Sequence, residues 1–327
     1  MNTNVVYCDV CETRSEHVIY EDSFNLPHEY FIQIDIHSIL FCLTRCSNCS
    51  AIKTHPVLTD SELHTLYSKS YTSHEVLIKE NQAKAPLTLK IRKKITEPLA
   101  HIFVEEKTAI NRIITSLLVS KLTPRMFRCF PMLFPKPRRL LDVGCGDGSF
   151  INRFRNTDLE CVGIEISETP VKYAQSAGLQ VYQANIEDDK KLPVNGPFDV
   201  IRLADVPEHT RNPGKVLKRL HSLLSPGGEL ILNLPNVGNA LTRKIYGKYW
   251  PGFHLPFHRY HFDKKSIVKA LTENGFSVEL YFTKNHMQMI YGLDYLFQRK
   301  KIPIRLNNLV VKILYTPFDI LLDFLMP

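Results

Sequence analysis

The sequence lacks any apolar run that approaches the roughly 18 to 20 residues of a membrane-spanning helix. It also lacks, after Met1, the basic segment and apolar core of a secretory signal peptide. Internal repeats and low-complexity tracts are absent as well. These absences argue against a polytopic membrane protein, a secreted protein and a collagen-like or wholly disordered chain, and they predict a cytoplasmic location.

What is present is the composition of a soluble globular protein. The chain has 327 residues, of which 44% are hydrophobic and 23% are charged. A chain of this length can bury a sizeable core without disulfide bonds and is expected to form about two domains.

Half of the eight cysteines fall in two CxxC pairs, Cys8 with Cys11 and Cys46 with Cys49. In a large intracellular protein such pairs indicate a metal site before they indicate disulfides. Four thiolates suit one tetrahedral Zn²⁺, so the pattern predicts zinc. Four free cysteines are the alternative, because Glu12 and Ser50 stand where such knuckles often carry glycine.

Positive charge is concentrated in one segment of the chain. Residues 84–139 contain 13 Lys and Arg but only three Asp and Glu, whereas the whole chain has a formal net charge of +8. Such a segment suits nucleic acid, an anionic lipid surface or a phosphorylated substrate. A solvated helix face is the alternative.

From Arg139 onwards, apolar strands alternate with helices. This alternation predicts an α/β fold, a doubly wound Rossmann-like parallel sheet with helices on both faces. The first four strands are expected at 140–143, 161–166, 180–184 and 198–203, and the fifth and sixth at 229–234 and 278–282. A further strand is expected at 30–36 and a short helix from Thr59 or Asp60. We divide the chain into a zinc-binding domain (1–75), a basic helical segment (76–137), a cofactor-binding domain (138–290) and an amphipathic helical tail (291–327).

A glycine loop, DVGCGDG, follows the first of these strands. Glycines let the backbone approach a ligand closely. Asp142 begins this loop, two residues before its first glycine, where an acid opposes a diphosphate but suits an ammonium group. Glu165 ends the next strand, where a carboxylate can accept from both hydroxyls of a ribose. This combination predicts S-adenosylmethionine as the cofactor and disfavours NAD.

These motifs resemble those of the class I S-adenosylmethionine-dependent methyltransferases, through LLDVGCGDG, VGIEIS, FDVIRLADVPEH and LSPGGELILNLPN. The resemblance implies that Glu165 contacts the ribose of the cofactor, that Asn185 and Ile186 contact adenine, and that Ile166 also belongs to the cofactor-binding residues. Asn185 departs from the usual Asp of the family. The remaining residues that the resemblance places around the cofactor are Asp142, Gly144, Cys145, Gly146 and Asp205.

The amino-terminal cysteines, followed by LTDSELHTLY, resemble a bacterial methyltransferase subgroup that carries an amino-terminal zinc-binding domain. That subgroup includes sugar C-methyltransferases and proteins of surface-polysaccharide gene clusters. The resemblance implies a sugar or glycan precursor as acceptor. O-methylation of a phenolic or quinone-like small molecule and methylation of an RNA base are the alternatives, and a binding protein without catalysis is a further one.

Two clusters are candidates for the chemistry. Glu208 and His209 follow the fourth strand, and in quinone-type O-methyltransferases two acids and this His can bind a divalent ion. The second cluster is the aromatic-rich stretch 250–262, in which His258 matches a Pro-x-His element of the subgroup. We expect His258 to act as the base, because histidine titrates near neutral pH, with His209 and Glu208 in orienting roles.

The acceptor is thus expected to be a small molecule or a glycan, and nucleic acid is not the favoured partner. The basic segment and the amphipathic tail together suggest peripheral contact with an anionic membrane. Packing of the tail on the sheet or in a dimer is the alternative. A seventh strand is not evident after 278–282.

Overall fold

The computed structural model describes residues 4–24, 41–59, 61–63, 137–238 and 250–279. The expected strand at 30–36, nearly all of the basic segment and the whole tail lie outside the described residues, as does most of the expected sixth strand. Its residues 278 and 279 are described and are not in a strand. Among the described residues, no helix is long and apolar enough to cross a membrane.

The strands of the described residues fall into two five-stranded sheets. In chain order they are β1 (Asn4–Tyr7), β2 (Arg14–Phe24), β3 (Phe41–Cys46), β4 (Ile52–His55), β5 (Arg139–Val143), β6 (Glu160–Glu165), β7 (Val181–Gln183), β8 (Phe198–Ala204), β9 (Leu224–Asn233) and β10 (Tyr260–His261). The α-helices whose two ends are both described are α1 (Glu168–Ser176), α2 (Pro213–Leu223) and α3 (Lys264–Glu273).

The second sheet is the doubly wound sheet that the sequence predicts. Its strands are parallel in the order β7-β6-β5-β8-β9. The reversal of strand order lies between β5 and β8, where such sheets open a crevice at the carboxyl ends of their strands. Buried apolar side chains cover both faces, with Leu140 and Val200 in one core and Leu141 and Ile201 in the other.

The expected boundary between α2 and the fifth strand is wrong by several residues. The sequence favours a turn at Pro226–Gly228 and a strand from Glu229. In the structure α2 ends at Leu223, and β9 begins at once with Leu224, which pairs with Phe198. The register of this pairing shifts before Glu229, so an irregular strand replaces the turn. Pro226 is tolerated because β9 is the outer strand of the described sheet.

The first sheet is antiparallel and has the order β1-β2-β3-β4-β10. Four of its strands come from the amino-terminal region, and the fifth comes from about 200 residues further along the chain. Tyr260 of β10 pairs with Lys53, and His261 pairs with Ile52. The two regions of the chain are therefore joined by strand pairing.

The short helix after β4 begins as expected. Thr59 caps it: its hydroxyl accepts from the amide of Glu62, and the Glu62 carboxylate accepts from the amide of Thr59. This is the reciprocal capping box. Residues 61–63 are helical, and the remainder of the expected helix lies outside the described residues.

Candidate active site and cysteine centre

The glycine loop adopts a backbone that needs glycine. Gly144 and Gly146 have φ of 70° and 55°, and the amides of Gly144 and Cys145 donate to the carbonyl of Ile164 on β6. A Cβ on Gly144 would lie 2.4 Å from Val206, whereas one on Gly146 would meet nothing within 4 Å. Gly144 thus permits close packing within the protein, and Gly146 presents bare backbone to open space, as a ligand-binding loop requires.

Glu165 lies at the end of β6 and holds this loop. Its Oε2 accepts from the amide of Gly146 at 3.0 Å, and its Oε1 accepts from the amide of Ser167 at 2.9 Å. The side chain is largely buried, yet each oxygen keeps a further lone pair. These positions fit the ribose contact that the sequence predicts, which stays a prediction.

Asp142 is fully buried at the start of the loop. Its Oδ1 accepts from Arg202 Nη1 at 2.5 Å, and Oδ2 has no hydrogen-bond partner among the described residues. The Arg202 guanidinium lies 4.0 Å from the ring centroid of Phe150. Burial raises the pKa of Asp142, although Arg202 opposes the shift. Asp142 therefore has a structural partner, and its expected contact with an ammonium group remains a prediction.

The predicted adenine side of the site is built on the end of β7. Gln183 donates to the carbonyl of Ile166, and the Asn185 side-chain oxygen accepts from the amide of Glu187. Ile166 is 61% exposed, which is unusual for a large apolar side chain, and it offers a surface for a flat ring. Ile186 is buried in the core, so only its backbone is available to a ligand.

Cys145 is likewise buried, and its sulfur packs where a side chain on Gly163 would otherwise stand. Its side chain belongs to the core behind the loop, so its backbone alone can face a ligand.

The two candidate catalytic clusters meet at the carboxyl end of β8. One potential ligand atom from each of Glu208, His209 and His258 lies within 4.8 Å of the others. Glu208 and His209 sit on a 3-10 turn (Pro207–His209), and the Arg259 amide donates to the carbonyl of Glu208 at 2.8 Å. This backbone bond draws the 250–262 stretch onto the edge of the parallel sheet.

Both histidines are held by backbone carbonyls. Nδ1 of His209 contacts the carbonyl of Phe257, and Nδ1 of His258 contacts the carbonyl of Gly252, each at 3.0 Å. A carbonyl only accepts, so each Nδ1 carries the proton and each Nε2 keeps a lone pair. Burial lowers the pKa of His209 to about 4 and that of His258 well below its usual value. Both rings are therefore neutral at physiological pH.

Glu208 is the unusual member of the cluster. It is only 1% exposed, and neither carboxylate oxygen has a hydrogen-bond partner among the described residues. Burial, with a smaller contribution from Asp205, raises the pKa of Glu208 well above its ordinary value. Burying a carboxylate without a hydrogen-bond donor costs free energy. Packing alone therefore does not explain why Glu208 is buried at this position.

Asp205 does not join this group. It is exposed, with φ of 55°, and its amide donates to the carbonyl of Asn233 on β9. Asn233 Nδ2 also donates to Asp205 Oδ1 at 3.2 Å. Asp205 remains a predicted cofactor residue at the end of β8, and His258 takes the third place in the cluster.

The four CxxC cysteines form a second buried cluster, with all four sulfurs within 4.8 Å of one another. The Sγ atoms of Cys8 and Cys49 are 3.7 Å apart, and those of Cys11 and Cys46 are 4.0 Å apart. A tetrahedron with metal–sulfur bonds of about 2.3 Å places its sulfurs about 3.8 Å apart. Ser15 Oγ lies 2.9 Å from Cys46 Sγ, and Asn48 Nδ2 donates to Cys11 Sγ at 3.5 Å, as outer partners of thiolates do.

The two CxxC loops share one backbone pattern. In each, the residue after the second cysteine donates to the carbonyl of the first: Glu12 to Cys8 and Ser50 to Cys46. Glu12 and Ser50 have φ of 51° and 65°, a conformation in which glycine is the unstrained choice. The lack of glycine therefore leaves the knuckle shape intact.

The amino-terminal sheet and its cysteine loops also contact the aromatic stretch 250–262, which carries His258. Tyr260 is buried, and its hydroxyl donates to Asp9, which lies between Cys8 and Cys11, at 2.5 Å. Thr54 Oγ1 donates to the carbonyl of His258 and lies 2.8 Å from His261 Nε2. The four cysteines share one hydrophobic core with Leu217 of α2 and residues of β10 and α3.

Sequence reasoning missed several of these supporting residues. A sequence signal does mark Arg202, since it is the only basic residue in the strand FDVIRLA, whose other residues except Asp199 are apolar. No sequence signal marks Asp9, Thr54 or Tyr260, because their partners lie far away in the sequence.

Comparisons with known proteins find similarity to methyltransferases. A family model described as a methyltransferase domain matches residues 115–281. Ubiquinone biosynthesis O-methyltransferase of Maricaulis maris (strain MCS10) is 30% identical over 150 residues, which cover 43% of this chain and 59% of that protein. The protein of the same name from Caulobacter sp. (strain K31) is 33% identical over 128 residues, covering 36% and 51%.

The chain spans about half of the length of the curated relatives that it matches. A solved structure of a SAM-dependent methyltransferase from Archaeoglobus fulgidus aligns with 56% of this chain and 85% of that chain, at 17% identity and a TM-score of 0.38. The family model covers more than half of the 327 residues, and the chain therefore belongs to the methyltransferase-domain family.

Proposed function

We propose that this protein uses S-adenosylmethionine to methylate a hydroxyl group of a phenolic or quinone-like small molecule. The observation that carries the proposal is the Glu208–His209–His258 cluster at the carboxyl end of β8, in which Glu208 and His258 are buried. Val206, two residues before it, packs against Gly144, so the cluster adjoins the glycine loop. A cofactor site and a group of proton acceptors are thus neighbours at one edge of the sheet.

The cofactor half of the proposal is supported by Gly146 and Glu165. Gly146 exposes backbone where a side chain would occupy open space, and Glu165 offers carboxylate lone pairs beside it. S-adenosylmethionine supplies an electrophilic methyl group on a sulfonium. The protein must then align an acceptor with that methyl, exclude water and remove a proton.

The acceptor half is supported by the state of His258. Its Nδ1–H is held by the carbonyl of Gly252, so Nε2 is unprotonated and can take a proton from a hydroxyl. His209 is fixed in the same tautomer by Phe257 and orients the acceptor. A phenolic hydroxyl has a pKa near 10 and is more acidic than an alcohol. A weak base therefore removes its proton more readily. The names of the curated relatives point to the same acceptor class.

A sugar or glycan precursor is the second candidate, and one observation favours it. His258 belongs to the aromatic stretch that resembles the sugar-methylating subgroup, and the structure brings that stretch onto the amino-terminal cysteine sheet through β10. The aromatic stretch and the amino-terminal cysteines are the two features on which the sequence resemblance to this subgroup rests.

We also propose that Cys8, Cys11, Cys46 and Cys49 bind one structural Zn²⁺. Their spacing, burial and knuckle backbone support a closed four-thiolate site. Four such thiols cannot all ionise in a buried site unless a cation compensates their charge.

Methyl transfer from labelled S-adenosylmethionine tests the proposal against phenols and catechols, nucleotide-linked deoxysugars and RNA. We expect labelled phenolic products, and His258→Gln should lower turnover by about 10² to 10⁴ while S-adenosylmethionine affinity stays within a few-fold. His221→Gln, an exposed histidine on α2, is the control. Labelling of sugars alone would favour the second candidate, and labelling of RNA alone would refute both.

A further inference from the structure

We infer that the imidazole of His254 binds the acceptor by stacking on its aromatic ring, beside the proposed base His258. His254 lies in the aromatic stretch 250–262, four residues before His258. It is exposed, whereas His258 is buried. The inference rests on the proposed function, in which the acceptor carries a phenolic ring.

The backbone of His254 is strained. Its φ is 40°, in the left-handed region, where glycine is unstrained and a residue with a Cβ is not. Among the described residues, three other non-glycine residues have a positive φ: Glu12 and Ser50 in the cysteine knuckles, and Asp205 at the end of β8. Strained residues cluster at binding and catalytic sites, and the contacts of His254 place it at one.

The turn that His254 closes does not explain its imidazole. The carbonyl of His254 accepts from the amide of Phe257 at 3.0 Å and from that of His258 at 3.1 Å, so the residue fixes the turn that carries the base. Both hydrogen bonds use backbone atoms alone, and glycine would form them with less strain. A reason for histidine must therefore lie in the side chain.

Core packing does not explain the imidazole either. Its ring centroid lies 4.9 Å from that of His258, with the planes at 84°, and 4.9 Å from that of Phe257, with the planes at 33°. Both neighbours are buried. A ring that served packing alone would be buried with them, whereas His254 is exposed and keeps ring surface for a ligand.

This arrangement suits a flat aromatic ring that carries a hydroxyl group. The acceptor ring packs on the imidazole of His254, and its hydroxyl reaches Nε2 of His258. The hydroxyl oxygen then bonds to the methyl carbon, the bond from that carbon to sulfur breaks with its electrons left on sulfur, and the proton passes to His258. His254 takes no proton: it holds the acceptor in the orientation that this transfer needs.

Binding of catechol to the full chain is measured by calorimetry without S-adenosylmethionine. His254→Gly should weaken this binding about 3- to 10-fold, the worth of one aromatic contact. The urea midpoint should stay the same or rise, because glycine relieves the strain. His254→Phe keeps a flat ring and should bind catechol within about twofold of the wild type, as should the control His221→Gln, an exposed histidine on α2. A structural role would instead lower stability and binding together.

A footprint of the wild type decides the inference whether or not the variants fold. Diethyl pyrocarbonate modifies accessible neutral imidazoles, and mass spectrometry locates the modified residues. Saturating catechol should slow modification of His254 several-fold and leave that of His221 unchanged. No measurable binding of catechol, no protection of His254, or wild-type affinity in a folded His254→Gly protein would each overturn the inference. Catechol that binds at His254 but is not methylated would instead contradict the proposed function alone.

Discussion

At the scale of single residues, the first two of the three glycines in the DVGCGDG loop have different roles. Gly144 and Gly146 both have positive φ, so both resist side chains. Only Gly144 has a neighbour in the way, Val206 at 2.4 Å from an added Cβ. Gly144 is therefore needed for the folding of the loop, and Gly146 is needed for the binding of a ligand.

Gly144→Ala should destabilise the protein by about 2 to 5 kcal/mol, because backbone strain and a steric clash add together. Gly146→Ala should cost only about 1 to 2 kcal/mol but weaken S-adenosylmethionine binding about tenfold or more. Urea unfolding and calorimetric titration measure the two effects. Equal losses of stability in the two variants, with cofactor binding kept in Gly146→Ala, would contradict this account of the loop.

At the scale of secondary-structure elements, β10 joins the amino-terminal sheet to the catalytic edge. His261 of β10 is buried beside Thr54 of β4. Burial lowers the pKa of His261 to about 3, whereas an unfolded chain titrates near its ordinary value of 6.5. Between those values the unfolded state binds a proton that the folded state excludes, so stability is full above about pH 6.5 and is lost as the pH falls.

The loss attributable to His261 should be about 1.4 kcal/mol for each pH unit below 6.5. His261→Gln can still donate to Thr54 but does not titrate, so its stability should fall less steeply between pH 6.5 and 5. Urea unfolding of both proteins across this range gives the two slopes. Identical slopes would show that His261 is not held neutral by burial.

The strands of the parallel sheet could be predicted because their signal is local: β5, β6 and β8 are short, nearly continuous apolar runs. The strand β10 could not, since it has two residues and exists only through pairing with Ile52 and Lys53. The start of β9 was missed for a related reason. A Pro-Gly-Gly sequence favours a turn locally, but pairing of Leu224 with Phe198 overrides it.

For the site, the sequence placed Glu208, His209 and His258 among its candidates, but their convergence depends on contacts between distant segments such as the amide of Arg259 with the carbonyl of Glu208. The knuckle shape of the CxxC loops was predictable from cysteine spacing. The ion pair between Asp142 and Arg202 was not, because it joins neighbouring strands 60 positions apart.

At the scale of the whole molecule, the cysteine centre and the methyltransferase sheet are parts of one structure. The cysteines lie in the same core as Leu217 and Tyr260, and Asp9 between them accepts from the Tyr260 hydroxyl. From sequence distance alone, Cys8→Ser or Cys46→Ser is expected to impair the amino-terminal domain rather than cofactor binding. Because the cysteines pack against Tyr260 of β10, we expect the substitution to displace His258 as well, which precedes β10 by two residues.

Cys46→Ser should therefore lower the free energy of unfolding by about 4 kcal/mol or more and reduce methyl transfer as well. S-adenosylmethionine affinity should stay within a few-fold, because Gly146 and Glu165 do not belong to that core. Cys42→Ser is the matched control, since Cys42 lies outside the four-cysteine cluster. Unaltered methyl transfer by a Cys46→Ser protein that is folded but binds no zinc would contradict the expected dependence of His258 on the cysteine centre.

Calorimetric titration with S-adenosylmethionine, with NAD as the comparison ligand, tests the central claim most directly. The account predicts saturable binding of S-adenosylmethionine alone, weakened about 10- to 150-fold in Glu165→Gln, because a hydrogen bond to a charged group contributes about 1.5 to 3 kcal/mol. The Glu168→Gln control, at an exposed position on α1, should bind like the wild type. Binding of NAD in place of S-adenosylmethionine, or equal affinity in wild type and Glu165→Gln, would contradict it.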